Sequence, residues 1–105
     1  MGLTWLFLKN FVLGLFYATP LLIALLAVIA LIGQRIGRRE GWSRIDAFYY
    51  AMITATTVGY GDFRPQQTPS KLQAIMIAFI GLLLTGLVVS IGVQAATVAF
   101  KGLYV

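Results

Sequence analysis

The sequence predicts an all-α membrane protein in which two spanning helices flank a shorter helix that enters the membrane without crossing it. Three observations indicate this fold class: the composition, two long apolar runs, and a glycine-containing loop after a short apolar segment between them. Apolar residues make up 60% of the 105 residues and charged residues 10%, compared with about 25% charged in soluble domains. A soluble domain of this length keeps much of its surface exposed, so the surplus of apolar side chains is expected to face lipid.

The charged and reactive residues exclude several classes of function. The chain has no histidine, no cysteine and only three acidic residues. That leaves no evident acid–base pair for an enzyme and few of the usual transition-metal ligands, so we expect neither catalysis nor an organic cofactor. The formal net charge is +5, but the basic residues flank apolar runs, which is typical of anchors at a membrane interface.

The first apolar run, residues 11–33, contains no ionised side chain and is predicted to be the outer spanning helix. About 20 residues already cover a hydrocarbon core of about 30 Å. A cleaved signal peptide is the alternative. The run is longer than the apolar core of a signal peptide, and Lys9 is the one basic residue before it, which makes a weak positively charged N-terminal region. Pro20 is expected to bend this helix or to mark its start. Residues 1–10 are predicted to be an N-terminal interfacial segment, with the first turns of the spanning helix as the alternative.

The second apolar run predicts the inner spanning helix, residues 71–101, with Lys71 and Lys101 at its ends. This run is longer than the hydrocarbon core requires. The helix must therefore tilt or continue past the core.

The segment between the two runs carries its own helix signal. A charged stretch, residues 34–43, is predicted to be an exposed turret, and Ser43 with Asp46 three residues later matches the capping box of a helix start. The helix predicted at residues 44–56 is too short to span a membrane and suits a re-entrant position. Residues 62–70 contain two prolines and are predicted to return to the surface as an outer loop.

The loop after the short helix indicates what the protein does. Irregular backbone at membrane depth is tolerated only where it is buried in protein or lines a water-filled path. Gly59 and Gly61 can adopt positive φ at little cost, and their alternation with Val58 and Tyr60 lets successive carbonyl groups turn to one side. Four chains around an axis would then stack rings of carbonyl oxygens, with the Thr57 hydroxyl at the inner end. Such rings can replace the hydration shell of a cation, and they suit K⁺.

The heptapeptide Thr-Thr-Val-Gly-Tyr-Gly-Asp at residues 56–62 resembles the signature sequence of potassium channels. The order of helix, re-entrant helix, loop and second helix is similar to that of two-transmembrane potassium channels, and the bacterial proton-gated channel and the pores of calcium-gated bacterial channels look most similar. The resemblance implies a homotetramer with residues 44–56 as pore helix and residues 57–61 as selectivity filter. It also implies that the transported ion, K⁺, binds at Thr57, Val58, Gly59, Tyr60 and Gly61.

The same resemblance implies residues that support the filter. Tyr49 and Tyr50 lie where the family has a tryptophan pair behind the filter tyrosine, and Thr54 and Asp62 complete the predicted support. In the proton-gated channel a glutamate pairs with the aspartate after the filter. Ile53 lies at that position here, so we expect Asp62 to have another partner, either Tyr49 or water.

On the inner helix the resemblance implies a gating hinge and a cavity. Gly81 lies at the position of the family's hinge glycine, Gly86 is a further candidate, and Thr85 is a candidate cavity-lining residue. Close helix packing is the alternative role for both glycines. Four residues below the cavity are candidates for an intracellular gate: Val89, Ser90, Val93 and Gln94.

The family resemblance implies a multi-pass protein of the plasma membrane, with the filter mouth outside and both termini in the cytoplasm. The positive-inside rule favours the opposite orientation, because six basic residues lie between the predicted spanning helices and two lie outside them. We predict the orientation that the family resemblance implies. A filter has distinct inner and outer ends, so it fixes the direction of the chain across the membrane.

Two alternative functions stay open at this point. A weakly selective cation channel is one, although such relatives typically alter the residues that Tyr60 and Gly61 retain here. A non-conducting membrane subunit that assembles with other channels is the other. An ordinary tight turn between helices is the alternative to a filter for the loop itself.

Overall fold

A computed structural model describes residues 2–104, with side chains described for residues 2–102. Met1 and Val105, the two ends of the predicted single pore domain, lie outside the described residues. The predicted all-α fold class is confirmed: the described chain consists of four helices joined by turns and loops and contains no strand. Two of these helices, α2 and α4, are long and apolar enough to cross a membrane. The four helices are α1 (Gly2–Tyr17), α2 (Thr19–Glu40), α3 (Arg44–Ala55) and α4 (Thr68–Tyr104).

The outer helix is interrupted at Ala18, which separates α1 from α2. Pro20 lies in the first turn of α2, where a missing N–H costs nothing. Because Pro20 has no N–H, the carbonyl group of Phe16 receives no helical hydrogen bond from it, and the two helices meet at this point. The helix α2 thus begins at Thr19, which agrees with the second of the two roles expected for Pro20, although the predicted outer helix itself was drawn from residue 11.

The helix α1, which contains most of the segment predicted to be interfacial (residues 1–10), packs along α4. Leu6 lies against Gly102, while a Cβ atom on Gly14 would be 2.6 Å from Cγ2 of Ile91. Later residues of α1 contact earlier residues of α4, so the two helices are antiparallel. Glycine on either helix allows this close approach, which explains why the segment packs on the protein.

Helix α2 continues through most of the predicted turret. No proline occurs between Gln34 and Glu40, Gly37 packs closely against Ala47 of α3, and the basic residues Arg38 and Arg39 in the last turn interact favourably with the helix dipole. The helix ends at Gly41, which has φ 81° and whose N–H donates to the carbonyl oxygen of Gly37. Glycine is the usual residue for this left-handed cap.

Helix α3 starts where the capping pattern predicted. The Ser43 hydroxyl oxygen accepts a hydrogen bond of 3.1 Å from the Asp46 N–H. The helix then packs against α2 through small residues, because a Cβ atom on Gly33 would be 2.6 Å from the Cβ atom of Ala51. This contact holds α3 close beside the outer spanning helix and fixes the direction of the loop that follows.

Helix α4 extends beyond both predicted ends, from Thr68 rather than residue 71 to Tyr104 rather than residue 101. Its 37 residues correspond to about 55 Å at 1.5 Å per residue, which exceeds the hydrocarbon core. Ile77 of α4, together with Ile29 and Ile36 of α2, is fully buried between the helices. This core lies level with α3, so the loop after α3 is held by the best-packed part of the chain.

Candidate functional site

The backbone of the loop alternates in handedness along residues 57–61. Thr57, Gly59 and Gly61 have φ values of 67°, 56° and 83°, whereas Val58 and Tyr60 between them do not have positive φ. Glycine adopts this conformation readily, but for a β-branched threonine it is an outlier that costs on the order of 1–3 kcal/mol. The positive φ of the two glycines agrees with the alternation that the sequence predicted. No feature of the sequence predicted the left-handed conformation of Thr57.

The amide groups at the start of the loop are tied back to the end of α3. The N–H of Thr57 donates to the carbonyl oxygen of Thr54 at 3.2 Å, and the N–H groups of Val58 and Gly59 donate to that of Ile53 at 3.0 and 3.3 Å. Among the described residues, none donates a hydrogen bond to the carbonyl oxygens of residues 57–61. Those oxygens are therefore available as acceptors or ligands.

The loop is open to one side of the chain. All five of its residues are exposed, including 71% of the Tyr60 side chain and 49% of Val58. The described part of the chain thus leaves the Tyr60 side chain largely uncovered and that of Val58 about half uncovered.

The four predicted support residues line one cavity behind the loop. Tyr49, Tyr50 and Thr54 come from α3 and Asp62 comes from the residue after the loop, and together with loop residues they enclose about 190 Å³. Ile53 also lines this cavity, so its wall is apolar where the proton-gated channel has a glutamate. The four predicted support residues thus lie around one cavity.

Tyr49 and Asp62 line the same cavity, as expected for one of the two partners that the sequence analysis gave Asp62. Desolvation raises the pKa of the Tyr49 phenol, and the nearby Asp62 carboxylate, both as an acceptor for the phenol and through its charge, raises it further. A raised pKa keeps the phenol protonated, so it can donate to the carboxylate throughout the neutral range. Asp62 also accepts a hydrogen bond from the N–H of Phe63 at 3.2 Å.

Trp42 and Phe63 belong to the support although sequence reasoning did not single them out. The Trp42 ring centroid lies 5.0 Å from that of Tyr50 and 5.3 Å from that of Phe63, and Phe63 lies 6.1 Å from Tyr49. These distances are typical of favourable aromatic pairs. The cluster connects the end of α2, helix α3 and the residue that follows Asp62.

Polar contacts join the end of α2 to the start of α4. The two carboxylate oxygens of Glu40 accept hydrogen bonds from the N–H groups of Gln66 and Gln67 at 2.8 and 3.2 Å. The carbonyl oxygen of Gln67 in turn accepts from the Lys71 N–H at 3.0 Å, so Glu40 caps the start of α4. Arg39 donates to Ser70 and Gln73 of α4.

The predicted hinge glycines of α4 have different surroundings. A Cβ atom on Gly81 would be 2.3 Å from the carbonyl oxygen of Ala55 at the end of α3, whereas one on Gly86 would meet no atom within 4 Å. Close packing therefore accounts for Gly81, and within this chain it does not account for Gly86. Thr85, one turn beyond Gly81, is exposed, as are the predicted gate residues Val89, Ser90, Val93 and Gln94.

Comparisons with known proteins agree with this geometry. The sequence model of a family described as ion channel matches residues 11–98. The chain is 38% identical over 77 residues to two pore potassium channel a of Oryza sativa subsp. japonica, covering 73% of this chain and 22% of the relative. It is 49% identical over 43 residues to potassium channel protein 1 of Methanocaldococcus jannaschii, covering 41% and 13%. The chain thus spans less than a quarter of the length of either relative. No solved structure gives a significant match.

Proposed function

This chain belongs to the ion channel family, and from that premise we propose that it is the pore-forming subunit of a potassium channel. K⁺ passes passively through a filter made of the backbone carbonyl oxygens of residues 57–61, with the Thr57 hydroxyl at its inner end. The predicted resemblance to two-transmembrane potassium channels is confirmed by the family match and by the relatives named potassium channels. Selectivity, conduction and assembly are our proposals.

The observation that carries the proposal is the alternating backbone of the loop. Positive φ at Thr57, Gly59 and Gly61 reverses every second peptide unit, and the N–H groups of residues 57–59 are used by the end of α3. Carbonyl oxygens without a hydrogen-bond partner suit a dehydrated cation, which needs several oxygen ligands and no fixed charge.

One chain supplies only one wall of such a path, so we propose a homotetramer. The exposed Tyr60 and Val58 side chains would then pack against neighbouring copies while the carbonyl groups face the shared axis. The C-terminus of α3 points toward the same axis in this arrangement, and its partial negative charge would lower the barrier for a cation.

We propose that the filter mouth faces the outside of the plasma membrane and that both termini are cytoplasmic. Asp62 then lies at the outer mouth, held by Tyr49. Thr85 lines the cavity on the inner side, and Gly86 is the candidate for a hinge because no packing in this chain explains its lack of a side chain.

Cation flux from liposomes tests this function. Purified wild-type protein should release K⁺ at least about tenfold faster than Na⁺. Gly59→Ala should lose that preference or the flux itself, because alanine in a left-handed conformation costs about 1–2 kcal/mol in each subunit. The space around Gly59 is open, so the effect is one of backbone conformation. Gly102→Ala in α4, remote from the loop, is the matched control and should conduct as wild type does.

The two alternatives give distinct results in the same assay. Equal K⁺ and Na⁺ flux would indicate a weakly selective cation channel. A confirmed tetramer without flux would indicate a non-conducting subunit, and a monomer would overturn the proposal.

A further inference from the structure

Two side chains of opposite charge follow the loop directly. Asp62 is the residue after the loop, and Arg64 lies two positions further along the chain. Both are exposed, and both line the cavity behind the loop together with Tyr60 and Gly61. Because Gly61 is the outer end of the proposed filter, both charges lie at its outer mouth.

The mouth carries one negative and one positive charge per chain. Asp62 and Arg64 are the one acidic and the one basic side chain among the described residues that line the cavity behind the loop. The other two carboxylates of the chain lie elsewhere. Glu40 accepts from backbone N–H groups just before α4, and Asp46 lies in the first turn of α3.

These two charges do not form a close ion pair. Among the described residues, Arg64 makes no hydrogen bond and no ion pair with the protein. The Asp62 carboxylate accepts instead from the N–H of Phe63 at 3.2 Å and lies near the Tyr49 phenol. A guanidinium group is always charged, so each chain presents a full positive charge to the water at the mouth.

The backbone that carries Arg64 is anchored on both sides. Before it, the ring of Phe63 packs 5.3 Å from that of Trp42, measured between centroids. After it, the ring of Pro65 fixes its own φ, and the N–H of Gln66 donates to Glu40 at 2.8 Å. The Cα atom of Arg64 therefore has a defined position, and its charge stays in the region of the mouth.

The proposed homotetramer places four Asp62 and four Arg64 side chains around this mouth. Rings of acidic side chains are typical of cation channels, and rings of arginine or lysine are typical of anion pores. Four carboxylates alone would raise the local concentration of K⁺. Four guanidinium groups nearby cancel most of that field, so the arginine acts against the ion that the loop suits.

We propose that Arg64 limits the entry of K⁺ from the outer side by cancelling the field of Asp62, and so sets the inward conductance of the channel. This inference rests on the proposed function. The Debye length is about 30 Å at 0.01 M salt and about 3 Å at 1 M, so the effect should be large in dilute salt and absent in concentrated salt. Outward current enters the filter from its other end and should be affected less.

Single-channel recording in planar bilayers with symmetrical KCl tests the proposal, because the chain has no cysteine. A thiol introduced by Arg64→Cys is then the one target for charged methanethiosulfonate reagents. Arg64→Cys should raise the inward conductance at least about twofold at about 0.01 M KCl and leave it unchanged at about 1 M. A cationic reagent added on the loop side should restore the wild-type conductance, and an anionic reagent should raise it further. Modification is made on a conducting channel, so a folding defect cannot imitate this result.

Arg38→Cys is the matched control. Arg38 is an exposed arginine at the same end of the molecule that does not line the cavity behind the loop, and its modification should have less than half the effect. Three results would overturn the proposal: unchanged inward conductance in Arg64→Cys, the same change at about 1 M KCl, or an equal change in Arg38→Cys. Each of them leaves the proposed function standing, whereas a wild type without K⁺ current would overturn both.

Discussion

At the loop end of the molecule, formed by α2, α3 and the start of α4, the elements are joined by directed hydrogen bonds and aromatic pairs. At the terminal end, formed by α1 and the last third of α4, they are joined by apolar side chains against glycines. Glu40 caps α4 through two backbone N–H groups, whereas Gly14 simply makes room for Ile91. Directed contacts fix the orientation of backbone groups, while apolar contacts fix only the distance between helices. The directed contacts thus lie at the end of the molecule that carries the loop of residues 57–61.

The largest effect is expected from Gly81→Ala, which places a methyl group against backbone at the loop end. Its Cβ atom would be 2.3 Å from the Ala55 carbonyl oxygen, and backbone atoms at the end of α3 cannot yield as a side chain can. We expect a loss of at least about 1–3 kcal/mol in the free energy of unfolding, together with impaired filter geometry. Thermal denaturation and K⁺ flux measure these two effects.

Gly86→Ala is the matched control for that substitution, because its Cβ atom meets no atom within 4 Å. It should leave the melting temperature unchanged and change, at most, the open probability. If Gly81→Ala melts as wild type does and alters only opening, Gly81 acts as a hinge and our packing interpretation is wrong.

The next effect concerns the Glu40 cap. Glu40→Ala leaves the N–H groups of Gln66 and Gln67 without their acceptor, so the melting temperature should fall by several degrees and K⁺ selectivity should weaken. Glu40→Gln keeps one acceptor oxygen and should lie between Ala and wild type. Equal melting temperatures for all three proteins would show that this contact does not hold the loop end together.

A smaller effect is expected from Tyr49→Phe, which removes the hydroxyl group but keeps the ring against Phe63. The filter should lose part of its selectivity for K⁺ while the melting temperature changes little.

The raised pKa of Tyr49 also predicts that the free energy of unfolding depends on pH. The unfolded chain releases the phenol proton near its ordinary pKa of about 10, below the pKa in the folded state. Stability should therefore be full below pH 10 and fall above it.

Denaturation of wild type and Tyr49→Phe between pH 8 and 11 checks this sign. Every other side chain is common to the two proteins, so the difference between them reports Tyr49. A difference that does not change over this range would contradict the raised pKa of Tyr49.

The smallest effect is expected from Gly14→Ala at the terminal end. Its Cβ atom would be 2.6 Å from Cγ2 of Ile91, but a side-chain methyl group on a two-helix interface can move. We expect a loss of about 1 kcal/mol or less in the free energy of unfolding and unchanged selectivity. Should Gly14→Ala prove as harmful as Gly81→Ala, the contrast between the two ends would not hold.

The sequence predicts the parts of this structure that depend on local chemistry. The capping of α3 by Ser43 and the positive φ of Gly59 and Gly61 follow from the properties of those residue types. The replacement of the usual glutamate by Ile53 led us to expect another partner for Asp62, either Tyr49 or water, and Tyr49 and Asp62 line the same cavity.

The parts that depend on long-range contact were not predictable from one sequence. Trp42 and Phe63 lie 21 positions apart and each is typical of an interfacial aromatic residue. Glu40 has the appearance of one charge in a solvated cluster, and only the folded chain brings it to the start of α4. The positive φ of Thr57 is also a product of context, because hydrogen bonds to the end of α3 override the preference of a β-branched residue.

The central claim is that the backbone of residues 57–61 selects K⁺ over Na⁺. The most direct test is the reversal potential of single channels in a planar bilayer with K⁺ on one side and Na⁺ on the other, at equal concentrations. Our account predicts a reversal potential displaced far from zero in the direction of K⁺ selectivity, and a shift toward zero or loss of current in Gly59→Ala. A wild-type reversal potential near zero would contradict it.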